Sequence, residues 1–253
     1  MRKSLILTAA TAALFVLPTA AFADSHTQQF RANVTQANSS GASATADLSL
    51  DGNDLTVSID GQGFFDGFPH AIHFHGEPGG DNVCGPLNPD DAGFAEADAD
   101  GDGFISVVEG VPAYGGVTVS LTTEGDTSPD SALAVDRFPT SGTIDYQRTF
   151  EVSDEVAENL STLHVVIHAA DLDGSGEIGT LDIPSSLDPD LPLEATIPAA
   201  CGQITAVAAG GIDTGAGGTA TDSSNTGLLA AGVLGLGALG TATALRRRGN
   251  EVA

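Results

Sequence analysis

The stretch ASATADLSL, residues 42–50, decides the fold class, because small or apolar residues alternate strictly with polar ones along it. Successive side chains of a strand point to opposite faces of a sheet, so this pattern predicts a strand with one buried face. A turn cluster, DGND at 51–54, follows at once, and LTVSI at 55–59 repeats the alternation. The two runs predict consecutive strands joined by a tight turn.

Further strand signals are separated by turns rich in Gly and Asp. They occur at residues 28–35, 71–75, 117–122, 143–150, 163–168 and 203–207. Helix signal is sparse, and we expect Ser153 to cap one short helix that reaches Leu160, with two acids in its first turn. Many short strands with few helices predict an all-β domain, an antiparallel sandwich or barrel.

Five of the six histidines lie in two short clusters, HAIHFH at 70–75 and HVVIH at 164–168. Side chains two residues apart on a strand share a face, so His73 and His75 point the same way, as do His164 and His168. Imidazoles that converge from two strands are a way for a β-domain to bind copper or zinc. The clusters therefore predict a metal site, and the alternative is that these histidines only occupy a strand face.

An acidic segment, DADGDGFISVVE at 98–109, matches the twelve-residue calcium loop at each diagnostic position. We expect side-chain oxygens from Asp98, Asp100 and Asp102, the carbonyl of Phe104, and both carboxylate oxygens of Glu109. The alternative is a solvated acidic turn. Because Gly110 and Pro112 follow, we expect the exit helix to end there, so that the loop is an insertion in a β-domain.

A second segment, DLDGSGEIGTLD at 171–182, is a weaker match to the same loop, because serine replaces the third acid and an aspartate stands at the last position. Its expected ligands are Asp171, Asp173, Ser175, Glu177 and Asp182. The loop starts three residues after His168, so a bound cation would order the chain beside the second histidine cluster.

The two ends of the chain predict export and anchoring. Residues 1–23 have the charged start, apolar run and small-residue cleavage site of a signal peptide. We expect one domain over 24–207, a flexible stalk over 208–226, and a transmembrane anchor over 227–245, followed by a short cytoplasmic tail, 246–253, with three arginines. The SSNTG segment before the anchor resembles a sortase signal without its Leu and Pro, so wall attachment is the less favoured alternative.

Charge and cysteine content restrict the partners. Between residues 24 and 245, 33 acids face only three arginines, giving a formal charge of −30. Such a surface repels nucleic acid and anionic lipid and attracts cations, although adaptation to salt is an equal explanation of the excess. Two cysteines, Cys84 and Cys201, in an exported domain predict one disulfide. No sequence feature identifies a protein partner.

At the histidine clusters and the two cysteines, the chain resembles the copper/zinc superoxide dismutases. HAIHFHGE at 70–77 is similar to that family's HGFHVHE segment, and GDN at 80–82, GPLNP at 85–89, HVVIH at 164–168 and ACGQI at 200–204 follow in the family's order. The resemblance spans about residues 28–207 and implies a Greek-key barrel of eight strands. It also implies copper on His73, His75 and His168, a supporting position for His70, and a Cys84–Cys201 bond. We expect His164 to lie beside the metal site as well.

Three departures from the family bear on activity. No histidine lies between His75 and His164, so we predict no zinc site. The family's bridging histidine is missing from GPLNP, and Pro198 stands where an anion-guiding arginine is expected. A strongly acidic surface would also oppose the approach of superoxide.

Three functions follow. The first is a membrane-anchored, dismutase-like domain that binds copper and calcium with little or no dismutation. The second is an active copper-only superoxide dismutase. The third is a calcium-stabilised surface interaction module, of the kind seen in chordin-type domains.

Overall fold

The computed structural model describes residues 27–208. The predicted signal peptide, membrane anchor and cytoplasmic tail lie outside the described residues, as does the predicted stalk beyond its first residue. Within 27–208, the helices are all too short or too polar to span a bilayer.

Eight antiparallel strands form one curled sheet in the order β5-β4-β7-β8-β1-β2-β3-β6, which confirms the all-β prediction. The strands are β1 (Gln28–Gln36), β2 (Ser43–Asp51), β3 (Asp54–Gln62), β4 (Ile72–His75), β5 (Val117–Ser120), β6 (Thr143–Glu151), β7 (His164–His168) and β8 (Pro198–Val207).

The alternating stretch that predicted the fold forms the hairpin of β2 and β3, with Ala46 opposite Ile59 and Leu50 opposite Leu55. The apolar residues of the pattern are buried in the main core inside the curl, and the polar ones point outward. Gly52 takes a left-handed conformation, φ 61°, that suits glycine in the tight turn. The period of two therefore sets both the register and the buried face.

Strands β4 and β7 differ from this pattern because every one of their residues is buried. Their inner faces meet the main core, and connections between strands cover their outer faces. The same holds for the first half of β8, which starts at Pro198 rather than at the predicted residue 203. A run buried on both faces has no alternation to reveal it.

The connections carry four short helices. The β4–β5 connection holds α1 (Phe94–Ala97) and α2 (Val107–Tyr114), the β6–β7 connection holds α3 (Asp154–Glu158), and the β7–β8 connection holds α4 (Leu193–Thr196). Helix α3 is the one that the sequence predicts, and the Ser153 side chain accepts a hydrogen bond from Val156 N at 3.3 Å. It ends at Glu158, and a 3₁₀ turn continues from Leu160 to Thr162.

The predicted end of the exit helix at Gly110 and Pro112 was wrong, because α2 passes through both residues to Tyr114. Ser106 and Glu109 form a capping box that fixes its start. Gly110 is needed for packing: a Cβ there would lie 2.2 Å from the Tyr114 ring. Pro112 removes one backbone hydrogen bond from this helix, and tertiary packing compensates for the loss.

A second apolar cluster lies on the outer face of β7 and β8, under the β4–β5 connection. It consists of Ala37, Leu87, Phe94, Ile105, Tyr114, Val166 and Cys201. The predicted disulfide between Cys84 and Cys201 is present and joins this connection to β8. The acidic segment 98–109 and helix α2 are thereby fixed beside the outer faces of β4 and β7.

The two end strands of the sheet, β5 and β6, share no backbone ladder in the described part of the chain. Side chains from β6 cross between them instead. Tyr146 Oη donates to the Thr122 carbonyl at 3.2 Å, and Arg148 Nη1 donates to the same carbonyl and to Thr122 Oγ1, each at 2.7 Å. Arg148 also donates to the carbonyl of Gly125. We call this junction the side-chain seam.

Candidate metal centre

Three histidines meet on the covered outer face of the sheet. His73 and His75 lie on β4, and His168 lies at the end of the neighbouring β7. All three are buried, and one nitrogen of each lies within 4.8 Å of the other two. The structure therefore brings together the three histidines that the sequence predicts, in a group that can hold a metal ion.

Each of these rings is held by a backbone carbonyl from a connection. His73 Nε2, His75 Nδ1 and His168 Nδ1 bind, at 3.1, 2.9 and 2.8 Å, the carbonyl oxygens of Ala132, Gly115 and Thr196 respectively. A carbonyl only accepts hydrogen bonds, so each of these ring nitrogens carries the proton. The lone pairs therefore lie on the other nitrogens: Nδ1 of His73 and Nε2 of both His75 and His168.

The spacing of these lone pairs suits a single ion. The two Nε2 atoms of His75 and His168 lie 3.4 Å apart, and His73 Nδ1 makes no hydrogen bond within the described residues. Two nitrogens at about 2.0–2.1 Å from one ion lie about that far apart when they subtend roughly a tetrahedral angle. With no proton between them, two facing lone pairs repel, and a cation relieves this repulsion.

Burial keeps the three rings neutral. It lowers the pKa of His75 to about 3, that of His168 to about 4, and that of His73 well below its usual range. Repulsion from the neighbouring imidazoles lowers the pKa of His73 and His75 further. A metal ion binds only the neutral imidazole, so the site is ready for ligation at neutral pH without losing a proton.

Aromatic rings fix two of the imidazoles from the side. The Phe138 ring meets His73 edge-on with centroids 5.5 Å apart, and the Tyr114 ring meets His75 in the same way at 4.9 Å. Tyr114 is itself held by a hydrogen bond from its hydroxyl to the Val107 carbonyl at 3.2 Å. The imidazole positions are thus set by packing as well as by hydrogen bonds.

His70 and His164 lie outside the three-histidine group. His70 Nδ1 lies 3.0 Å from the His168 carbonyl, and its Nε2 lies 2.7 Å from the Phe65 carbonyl, so this ring ties two chain segments together beside the site. His164 is fully buried and stands opposite His75 in the β4–β7 ladder. Burial lowers the pKa of His164.

In the first acidic loop, carboxylate oxygens of Asp98, Asp100 and Asp102 lie within 4.8 Å of one another. Burial raises the pKa of Asp102, and repulsion from the neighbouring acids adds to this. Glu109 is not in this group: its carboxylate accepts the backbone N–H of Ala99 at 2.8 Å and of Ser106 at 2.9 Å. The side chain of Phe104 packs against the main core.

In the second acidic loop, Asp171 and Asp173 group with Glu194. Ser175, Glu177 and Asp182 are exposed and outside the group; the Ser175 hydroxyl instead donates to the Glu177 carbonyl at 3.0 Å.

Glu194 on α4 is the site residue that sequence reasoning missed. It is fully buried and accepts the backbone N–H groups of Leu172 at 2.9 Å and of Gly179 at 2.6 Å. The one available signal was a single acid inside the apolar run LPLEATI at 191–197.

Comparison of the chain with protein-family models found no match, and a search of curated proteins found no relative. The geometry of the site and its donor atoms therefore indicate its chemistry.

Proposed function

We propose that this domain binds a copper ion through His73 Nδ1, His75 Nε2 and His168 Nε2. One observation carries the proposal: three buried imidazoles, each bound to a backbone carbonyl, bring one nitrogen each to within 4.8 Å of the other two. A donor set of imidazoles suits copper and zinc, and copper(II) forms the stronger complexes of the two. The resemblance to the copper/zinc superoxide dismutases favours the same ion and implies a Greek-key barrel, with which the eight antiparallel strands are consistent.

The surroundings of the site favour binding over rapid dismutation. Superoxide is an anion, and its approach is accelerated by positive charge near the metal. None of the arginines of the described chain lines the cavity at the three histidines: Arg31 pairs with Asp47 at the surface, whereas Arg137 and Arg148 bind groups of the β5–β6 connection. Dismutation would therefore be slow, and an active copper-only dismutase is the alternative that turnover measurements would reveal.

The proposal includes calcium on the acidic loops. Three aspartates in a twelve-residue loop with a glycine at the turn supply the oxygen donors that calcium prefers. Full ligation would also use the Phe104 carbonyl and would turn Glu109 from its backbone partners toward the ion. The buried carboxylate of Glu194 beside Asp171 and Asp173 favours a second, weaker site.

We place the domain outside the cell, anchored by the 227–245 segment. A disulfide is expected in an oxidising compartment, so the Cys84–Cys201 bond is consistent with export. The strongly acidic chain is not suited to nucleic acid.

The test is metal analysis of the purified protein after reconstitution with copper and calcium, with superoxide turnover recorded on the same sample. We expect close to one copper per chain, with an electron paramagnetic resonance spectrum of nitrogen ligation and slow turnover. Replacing both His73 and His75 by alanine should abolish copper binding and spare calcium, whereas His26→Ala, outside both clusters, should change neither. Copper retained by the double variant would contradict the site, and calcium uptake without copper would favour a surface module.

A further inference from the structure

A cavity of about 310 Å³ opens directly above the three histidines. Its walls come from separate segments of the chain: Phe68 precedes β4, Val107 starts α2, Leu133 and Val135 lie on the β5–β6 connection, and Leu187 and Leu191 lie on the β7–β8 connection. No lining residue is an acid, a lysine or an arginine, although the whole chain has a formal charge of −26. The cavity is thus a neutral, apolar space within a highly acidic protein.

The rim of the cavity exposes large apolar side chains to solvent. Leu133 is 63% exposed, and Val135, Leu187 and Leu191 are also exposed. Clustered exposed apolar residues around a concave site mark a place where a ligand binds. The polar groups in the lining are the three imidazoles and Thr196, and the Thr196 carbonyl is already held by His168.

We propose that this cavity takes a small, neutral molecule with an aromatic body and a single nitrogen or oxygen donor directed at the metal. This inference rests on the proposed copper site. A copper ion held by three protein ligands could accept one further donor, and all three histidines line the cavity. A charged body would lose its hydration in the cavity without gaining an ionic partner, so a neutral one is preferred.

The size of the cavity sets the size of the ligand. An apolar cavity of about 150 Å³ in another protein is large enough to take up benzene. The space here is about 310 Å³, enough for one aromatic ring together with the donor group that reaches the metal. Because the walls come from several connections and form a concave space, its shape suits a whole small molecule rather than a flat protein surface.

The test compares the binding of 4-phenylimidazole and imidazole to the copper-loaded protein at pH 8, followed by the copper absorption spectrum. Both probes offer the same donor, so the difference in Kd reports burial of the phenyl ring. We expect 4-phenylimidazole to bind roughly 30-fold more tightly. Its anionic analogue, with a carboxylate on the phenyl ring, should lose most of this preference.

A matched pair of valines provides the control. Val135 lines the cavity and is 52% exposed, whereas Val83 is 54% exposed and is not part of its lining. Val135→Asp should remove the preference for the phenyl compound, measured as the ratio of the two Kd values, and the copper content of the variant reports whether the metal site is intact. Val83→Asp should retain the full preference. Equal behaviour of the two variants would overturn the inference.

The outcomes separate this inference from the copper proposal. Copper binding with equal affinity for both probes would overturn the cavity assignment and leave the metal site standing. If copper does not bind, the metal-free protein can be titrated with 4-phenylimidazole and followed by amide NMR shifts. Binding that Val135→Asp abolishes would then support the cavity alone, and absence of binding would refute it.

Discussion

The side-chain amide of Asn38 holds the backbone of Ile105 on both sides. Its Oδ1 accepts the Ile105 N–H at 2.7 Å, and its Nδ2 donates to the Ile105 carbonyl at 3.1 Å and to the Pro198 carbonyl at 3.0 Å. Asn38 is buried and has a φ of 51°, a left-handed conformation that asparagine tolerates better than most residues. One side chain at the end of β1 therefore fastens the acidic loop 98–109 to the sheet.

Replacing Asn38 by alanine should destabilise the protein and weaken calcium binding. The change leaves one N–H and two carbonyls without their partner, which predicts a loss of about 2–4 kcal/mol in the free energy of unfolding. Urea unfolding and a calcium titration measure the two effects. In the control, Asn53→Ala removes bonds to the Val152 carbonyl and the Asp154 carboxylate, away from the loop. The Asn53→Ala protein should keep its calcium affinity. An unchanged calcium affinity in Asn38→Ala would contradict the role of Asn38 in holding the acidic loop.

Alanine at Gly110 should destabilise the protein, although alanine normally stabilises a helix by about 1 kcal/mol relative to glycine. The new Cβ would lie 2.2 Å from the Tyr114 ring, which must move away from His75. We expect a loss of about 1–3 kcal/mol by thermal or urea unfolding, together with weaker copper binding. Gly116→Ala is the matched control, because no atom lies within 4 Å of its added Cβ. A Gly110→Ala protein as stable as the parent would disprove this packing argument.

The metal-free protein should lose stability as the pH falls below about 6.5. The folded state holds His75 and His168 neutral down to a pKa of about 3 and about 4, whereas the unfolded chain protonates both near their usual value of 6.5. Between these values the unfolded state binds more protons, so each histidine lowers the free energy of unfolding by roughly 1.4 kcal/mol per pH unit.

Urea unfolding at pH 7, 6 and 5 measures this slope. His168→Gln removes one titrating group and should give a shallower dependence than the parent, while His26→Gln should follow the parent closely. Parallel curves for the parent and His168→Gln would show that His168 is not held neutral by the fold.

Loss of calcium should weaken copper binding. The acidic loop 98–109 runs directly into α2, and the residue after that helix, Gly115, supplies the carbonyl that fixes His75. Replacing partners that orient a ligating histidine typically costs about 10–100-fold in metal affinity, so partial disorder of α2 should cost several-fold. Asp100→Asn is the test and Asp145→Asn, at an exposed position of β6, is the control, with copper Kd as the readout. Equal copper affinity at saturating and zero calcium would argue against this coupling.

The sequence predicts the parts of this molecule that have local signals. The period of two gives the β2–β3 hairpin, and the spacing of His73 and His75 places both on one face. Their meeting with His168 followed from the resemblance rather than from periodicity, because it depends on which strand pairs with β4. The disulfide followed from a count of two cysteines in a chain with a predicted export signal.

The rest of the site depends on contacts that are distant in sequence. The carbonyl partners of the three histidines belong to Ala132, Gly115 and Thr196, none of which has a side chain that indicates the role. Glu194 joins Asp171 only because the β7–β8 connection folds back on itself. Helix α2 passes through Gly110 and Pro112 because packing of Tyr114 outweighs the local preference of both residues.

At the side-chain seam, strands β5 and β6 can separate without breaking a backbone ladder. Every other neighbouring pair of strands is joined by a ladder that must break as a unit, whereas here Tyr146 and Arg148 hold the junction by a few side-chain bonds. The connection that leaves β5 at this junction carries the Ala132 carbonyl and the Phe138 ring, both of which hold His73. The position of His73 therefore depends on a junction held by side chains alone, whereas His75 and His168 are held by carbonyls of the β4–β5 and β7–β8 connections.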